Sequence, residues 1–193
     1  MDILFPGSVC ETCVPTEISS TNTWGPLALA ELVERLGGAI LSPHSQSSDV
    51  VLHMVRILKE RGKLDLVKGI IVPETTVAGT ETPHFTFERF GLTPQDFDHI
   101  PYMIANGDYR ITQIRINNRD FIDSLNASPT RAVGPAAYFD LDSPEFEGRF
   151  LGTTHIVQLG TNNIDLMDFL LEWAEENIAN PIVAKACKGK GPK

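Results

Sequence analysis

Four short runs of almost unbroken apolar residues punctuate the chain and constrain its fold more than any other feature. They are Ala39-Ile40-Leu41, "VKGIIVPE" (67–74), "HIPYMIANGD" (99–108) and "PAAYFDLD" (135–142). A strand with one face in water alternates apolar and polar residues, whereas an unbroken run belongs to a strand covered on both faces. Stretches with helical period lie between the runs. Pro26 suits a first helical turn, and Leu29, Leu32, Val33 and Leu36 form a stripe that ends at Gly37-Gly38. Ser47, Ser48 or Asp49 can cap a second helix with its apolar face at Val51, Met54, Val55 and Leu58, stopped by Gly62. "PHFTFERFGL" reads as a loop or a weak helix, and "RDFIDSLNA" as a short one. A last helix over 162–178 is capped near Thr161 to Asn163, with apolar positions Ile164, Met167, Leu171, Ala174 and Ile178. The alternation predicts an α/β fold: a mostly parallel sheet joined by right-handed crossovers and flanked by helices.

The 193 residues suit one domain with a sizeable core, and 42% hydrophobic with 21% charged residues is ordinary for a globular protein. Residues 1–23 read as an irregular segment rich in Ser, Thr, Pro and Asn. Residues 24–180 form the α/β domain, and 181–193, ending "KACKGKGPK", a flexible basic tail. A formal net charge of -9 repels phosphate backbones and argues against nucleic acid as a partner. The chain has no apolar run of membrane-spanning length, and "MDILFPGSV" lacks the basic and long apolar regions of a signal peptide. The compartment stays open. Cys10 and Cys13 have CxxC spacing but no second pair, and Cys187 stands far away. Incidental or locally bonded cysteines are favoured over a zinc or redox site.

In open parallel sheets, chemistry gathers at the carboxyl ends of the strands. Ser45, Glu74, Asp108 and, after the fourth run, His155 stand at such positions. A serine hydroxyl becomes a nucleophile when an imidazole takes its proton and a carboxylate holds that imidazole in one tautomer. The chain order serine, acid, histidine is the order used by α/β-hydrolases. The pattern admits two readings of Ser45: a nucleophile on a sharp strand-to-helix turn, or an ordinary turn residue before a helix. The other histidines have plainer readings. His44 packs under the turn, His53 is a core or surface residue on a helix, and His84 and His99 lie near turns. Glu74 can equally cap a helix, Asp108 can serve its Asn-Gly turn, and Tyr109 can line a pocket or fill the core.

The stretch "ALAELVERLGGAILSPHSQSS" resembles the nucleophile region of a bacterial esterase subgroup of the α/β-hydrolase superfamily. The subgroup's turn typically reads Ser-His-Ser-Gln-Ser-Gly. Here Pro43 and Ser48 replace its ends, and His44-Ser45-Gln46-Ser47 is retained. The likeness runs on through "VKGIIVPE", "IPYMIANGDY" and "TTHIVQLGTNNIDLMDFLLEWAEENI", covering roughly residues 26 to 178. It implies Ser45 as nucleophile, His155 as base and the Gln46 N–H as an oxyanion donor. The subgroup's acid falls on Glu74, and the superfamily's commoner acid position on Asp108, which is the alternative.

The resemblance also implies what to expect around the site. This superfamily places several strands before the nucleophile, and one of their loops supplies a second oxyanion donor. Only 44 residues precede Ser45, so the chain corresponds to the C-terminal half of that fold, a truncated form lacking the N-terminal strands. The second donor then has no identified source, and an exposed sheet edge invites a partner chain or an oligomer. Two function classes follow: a serine hydrolase acting on a small-molecule carboxylic ester through an acyl-enzyme, or a non-catalytic remnant serving as a binding module. Neither requires a cofactor.

Overall fold

The structure is a computed structural model that describes residues 24–75, 87–108 and 112–178. Cys10, Cys13, His84, Tyr109, Cys187, the N-terminal segment 1–23 and the basic tail lie outside the described residues.

The four apolar runs are four parallel strands, β1 (Ala39–Leu41), β2 (Val67–Pro73), β3 (Tyr102–Asn106) and β4 (Ala137–Asp140), in the order β1-β2-β3-β4. The fold is α/β. Helix α1 (Trp24–Leu36) precedes β1, α2 (Ser47–Glu60) joins β1 to β2, α3 (Thr112–Asn126) joins β3 to β4, and α4 (Asn163–Asn177) follows β4. A sheet that grows in one direction through right-handed crossovers places its connecting helices on one face. Residues of α1, α2, α3 and the 87–100 segment accordingly share one core with Ile70, Val72, Tyr102 and Ile104. The side chains in between, Ile71, Met103 and Ala105, point the other way and pack with Phe150 and α4 residues Leu166, Leu170 and Trp173. The two-residue period of β2 and β3 thus divides one apolar run between two cores.

Helix α2 buries the face expected from its pattern, including Val51, Met54, Val55 and Leu58. Its N-cap, however, is Gln46, and no side chain caps it. Helix α3 starts seven residues earlier than "RDFIDSLNA" implies, at Thr112. Two apolar stripes differ from expectation. In α1 the buried residues are Pro26, Ala30 and Val33, with Leu32 and Leu36 exposed. In α4 the buried row is Leu166, Leu170, Trp173 and Ala174, whereas Ile164 and Met167 are 73% and 53% exposed. Both helices are apolar around more than one stripe, so periodicity alone does not decide which row faces the sheet. The sheet face chooses: in α4 the Leu-Leu-Trp row supplies the bulk that packs against Ile71 and Met103.

Candidate active site

The chain leaves β1 at Leu41, passes Ser42, Pro43 and His44, and enters α2 at Ser47. Pro43 lies beyond the strand, where its missing N–H costs no ladder bond. Ser45 bears the bend. Its φ is 54°, the left-handed region that costs a side-chain-bearing residue roughly 1–2 kcal/mol. The bend is held from two sides. The Ser45 amide donates to the Glu74 carbonyl at 3.1 Å, and Ser45 bridges Thr75 in parallel register. The buried Thr75 hydroxyl donates to the buried Ser48 hydroxyl at 3.1 Å, tying the first turn of α2 to the end of β2.

Glu74 follows β2 directly and also has a positive φ, 58°. Its own amide donates to the Ala105 carbonyl on β3 at 2.8 Å, so this turn too is fastened to a neighbouring strand. The residue is only 1% exposed. A carboxylate so placed needs compensating partners. Glu74 Oε1 accepts a short bond from the Gly107 amide, and Oε2 lies 3.6 Å from His155 Nδ1, ion-pair distance but longer than a hydrogen bond. On the opposite edge of the ring, His155 Nε2 is 2.8 Å from Ser45 Oγ. The hydroxyl, imidazole and carboxylate, separated by 29 and 81 residues in sequence, therefore form one contact chain at the carboxyl ends of β1 and β2.

The loop that carries His155 is held from the end of β3 and by bonds of its own. Asp108 Oδ2 accepts the Gly152 amide at 2.8 Å, while the Thr153 hydroxyl donates to the Phe150 carbonyl at 2.6 Å and accepts from Asn162 at 2.9 Å. Asp108 thus holds the base of the histidine loop, and Glu74 is the carboxylate that meets the ring. Gly107 fits between the two. A Cβ at this position would collide with the Thr153 carbonyl and come within 2.8 Å of Glu74 Oε1. Arg115 on α3 braces the same glycine by donating to its carbonyl at 2.9 Å and gripping Asp142 with two bonds, 2.6 and 3.0 Å. The Arg115 bond is the main cause of the Asp142 carboxyl being held below the ordinary carboxylate range.

Gln46 is the first residue after the bend. Among the described residues its amide has no role in the turn's hydrogen bonds, in which Ser47, Ser48 and Asp49 donate to His44, Ser45 and Gln46. An unpaired N–H at a helix start, directly after the hydroxyl, is placed to receive a negative oxygen. A cavity of about 350 Å³ opens beside this constellation, walled by Ser42, His44 and Pro73 on the sheet side and by α4 residues such as Ile164 and Met167. Its walls include neither Ser45 nor His155, so it adjoins the contact chain through His44. Elsewhere, His53 on α2 rests its ring against Phe90, with centroids 4.9 Å apart. Among the described residues no group of three or more His, Cys, Asp or Glu is arranged to hold a metal ion, and no helix is long and apolar enough to cross a membrane.

Of the residues singled out from sequence, Ser45, Glu74 and His155 come together, Gln46 adjoins them, and Asp108 supports the loop instead. Three supporting residues carry no evident signal: His44 reads as packing, Gly107 as part of a turn, and nothing in the sequence singles out Arg115. No model of a known protein family matches the chain, and none of the curated proteins compared with it does.

Proposed function

We propose that the protein is a serine hydrolase of the α/β-hydrolase type, acting on a carboxylic ester through an acyl-enzyme. One observation carries this reading: a serine in a left-handed bend with its hydroxyl 2.8 Å from an imidazole whose other nitrogen faces a buried glutamate. With Glu74 charged, His155 keeps its proton on Nδ1 and presents the Nε2 lone pair to the Ser45 hydroxyl. Ser45 Oγ attacks the ester carbonyl carbon as its proton moves to His155 Nε2. The carbonyl π electrons move to oxygen, and the Gln46 N–H donates to the resulting oxyanion. The C–O bond to the alcohol then breaks, His155 returns the proton to the leaving oxygen, and Ser45 is left acylated. Water repeats the sequence and frees the acid. The Glu74 charge offsets the positive imidazole in both halves.

A second reading is a binding module that keeps these three positions without turnover. It draws on the oxyanion site: among the described residues we identify one donor, Gln46 N–H, where loss of a donor costs about two to three orders of magnitude in rate. The outer sides of β1 and β4, which pair with no further strand among the described residues, and the exposed row on α4 would in either case suit an oligomer or a covering partner chain. Hydrolysis of a short-chain p-nitrophenyl ester decides between the two. The hydrolase reading requires saturable turnover that vanishes in Ser45→Ala, and turnover unchanged by that substitution, or none in folded protein, favours the module.

A further inference from the structure

His44 precedes Ser45 in the chain, yet its ring reaches across the site to His155. Its Nε2 lies 2.5 Å from the His155 carbonyl oxygen, and the two rings stand with centroids 4.9 Å apart, tilted by 34°. A carbonyl only accepts, so His44 Nε2 carries a proton and donates it to that bond. The His44 backbone is fastened at both of its polar groups by one side chain. The Ser47 hydroxyl accepts from the His44 amide at 2.8 Å and donates to the His44 carbonyl at 2.6 Å. Ser47 belongs to α2, so the helix start aims the His44 ring, and the ring grips the main chain of His155.

The grip matters because of where His155 sits. Its side chain is 39% exposed on a loop, with Nδ1 3.6 Å from Glu74 Oε2, so a shift of the loop main chain would change its distance to the Ser45 hydroxyl. Proton transfer from a hydroxyl is sensitive to small displacements: about 1 Å of misplacement can cost a hundredfold in rate.

We infer that His44 is a positioning residue: its Nε2–H fixes the backbone of His155 while its ring backs the imidazole, setting the distance from Nε2 to the Ser45 hydroxyl. The kinetic part of this inference rests on the hydrolase reading, and the structural part stands without it. His44 itself makes and breaks no bond. The stretch His44-Ser45-Gln46-Ser47 then supplies the hydroxyl, an oxyanion donor, the clamp on the base and the anchor of that clamp.

Two substitutions separate the roles. His44→Phe keeps a ring beside His155 and removes the donor, whereas His44→Gln offers an amide N–H at nearly the same reach. Two measurements on the full chain follow them: the rate at which a fluorophosphonate reacts with Ser45, and the ring-nitrogen NMR signals of His155 in protein labelled with heavy-nitrogen histidine. His44→Phe should slow the reaction roughly ten- to hundredfold and move the His155 signals toward averaging between tautomers, and His44→Gln should recover most of both. A Phe variant with wild-type rate and unchanged His155 signals overturns the inference, as does a folded Gln variant no better than Phe. A wild-type chain that never reacts removes the hydrolase reading alone. The His155 signals then decide the clamp by themselves, shifted in His44→Phe if it exists and unshifted if it does not.

Discussion

The amide of Ser45 donates to the carbonyl of Glu74 at 3.1 Å, so a direct main-chain bond joins the residue that carries the hydroxyl to the one that carries the carboxylate. Both residues have positive φ, 54° and 58°, and each is a side-chain-bearing residue in the region where glycine is at home. Two neighbouring parallel strands end in the same unfavourable bend, and each bend turns a side chain toward His155. Backbone strain of this kind persists only where the surroundings over-determine it, and it concentrates at functional sites.

That strain predicts a stability gain with no gain in contacts. Ser45→Gly should exceed Ser45→Ala in unfolding free energy by about 1 kcal/mol, because alanine keeps the left-handed penalty and glycine does not. Urea unfolding of the two variants measures it. Neither variant has the hydroxyl, so the comparison is independent of chemistry.

The two carboxylates should separate cleanly. Glu74→Gln preserves an acceptor for the Gly107 amide but removes the charge facing His155, and ester turnover should fall about 10³- to 10⁴-fold. Asp108→Asn preserves an acceptor for the Gly152 amide, and its cost should be roughly tenfold or less, through the loop. Steady-state kinetics with one ester substrate check both, and the reverse order would make Asp108 the acid.

Gly107 has no room to grow. Gly107→Ala should destabilise the fold by about 1–3 kcal/mol as the new methyl pushes the Thr153 carbonyl and the Glu74 carboxylate away. Chemical denaturation gives the energy. A change in the His155 ring signals in the same variant would show that the displacement reaches the site.

His53 predicts a pH dependence. Burial, then Arg56 and Arg89, hold its imidazole below the ordinary value of 6.5. The unfolded chain then binds the proton more readily than the folded one, so this residue's stability contribution is present at neutral pH and is lost as pH falls below about 6.5. His53→Leu should therefore flatten the drop in urea midpoint between about pH 7.5 and about pH 5.5 relative to wild type.

Much of this architecture is legible in the sequence, for a physical reason. Strands buried on both faces must be apolar throughout, so "VKGIIVPE" and "HIPYMIANGD" announce themselves, and α2 shows a clean stripe because its opposite side is polar. The buried rows of α1 and α4 are less legible, since both helices carry apolar residues that remain exposed. The start of α3 is hidden because "TQIRINN" is polar, although Asn117 and Asn118 are buried. At the site, the order serine, acid, histidine can be read directly, whereas which of Glu74 and Asp108 meets the histidine cannot, because both follow strand ends. What His44, Gly107 and Arg115 do cannot be read in that way. Each works through a backbone group, His44 donating to the His155 carbonyl, Arg115 to the Gly107 carbonyl and Gly107 giving its own amide to the Glu74 carboxylate, and a backbone group leaves no mark in the sequence.

The central claim is that Ser45 is a hydroxyl made nucleophilic by His155 and Glu74, and one measurement addresses it most directly. The full chain is treated with a fluorophosphonate, digested, and the modified peptide sequenced by mass spectrometry. The account predicts one phosphonylated residue, Ser45, with the adduct lost in Ser45→Ala and strongly slowed in His155→Ala. A folded chain that takes no adduct, or takes it on another serine with Ser45 untouched, would contradict it.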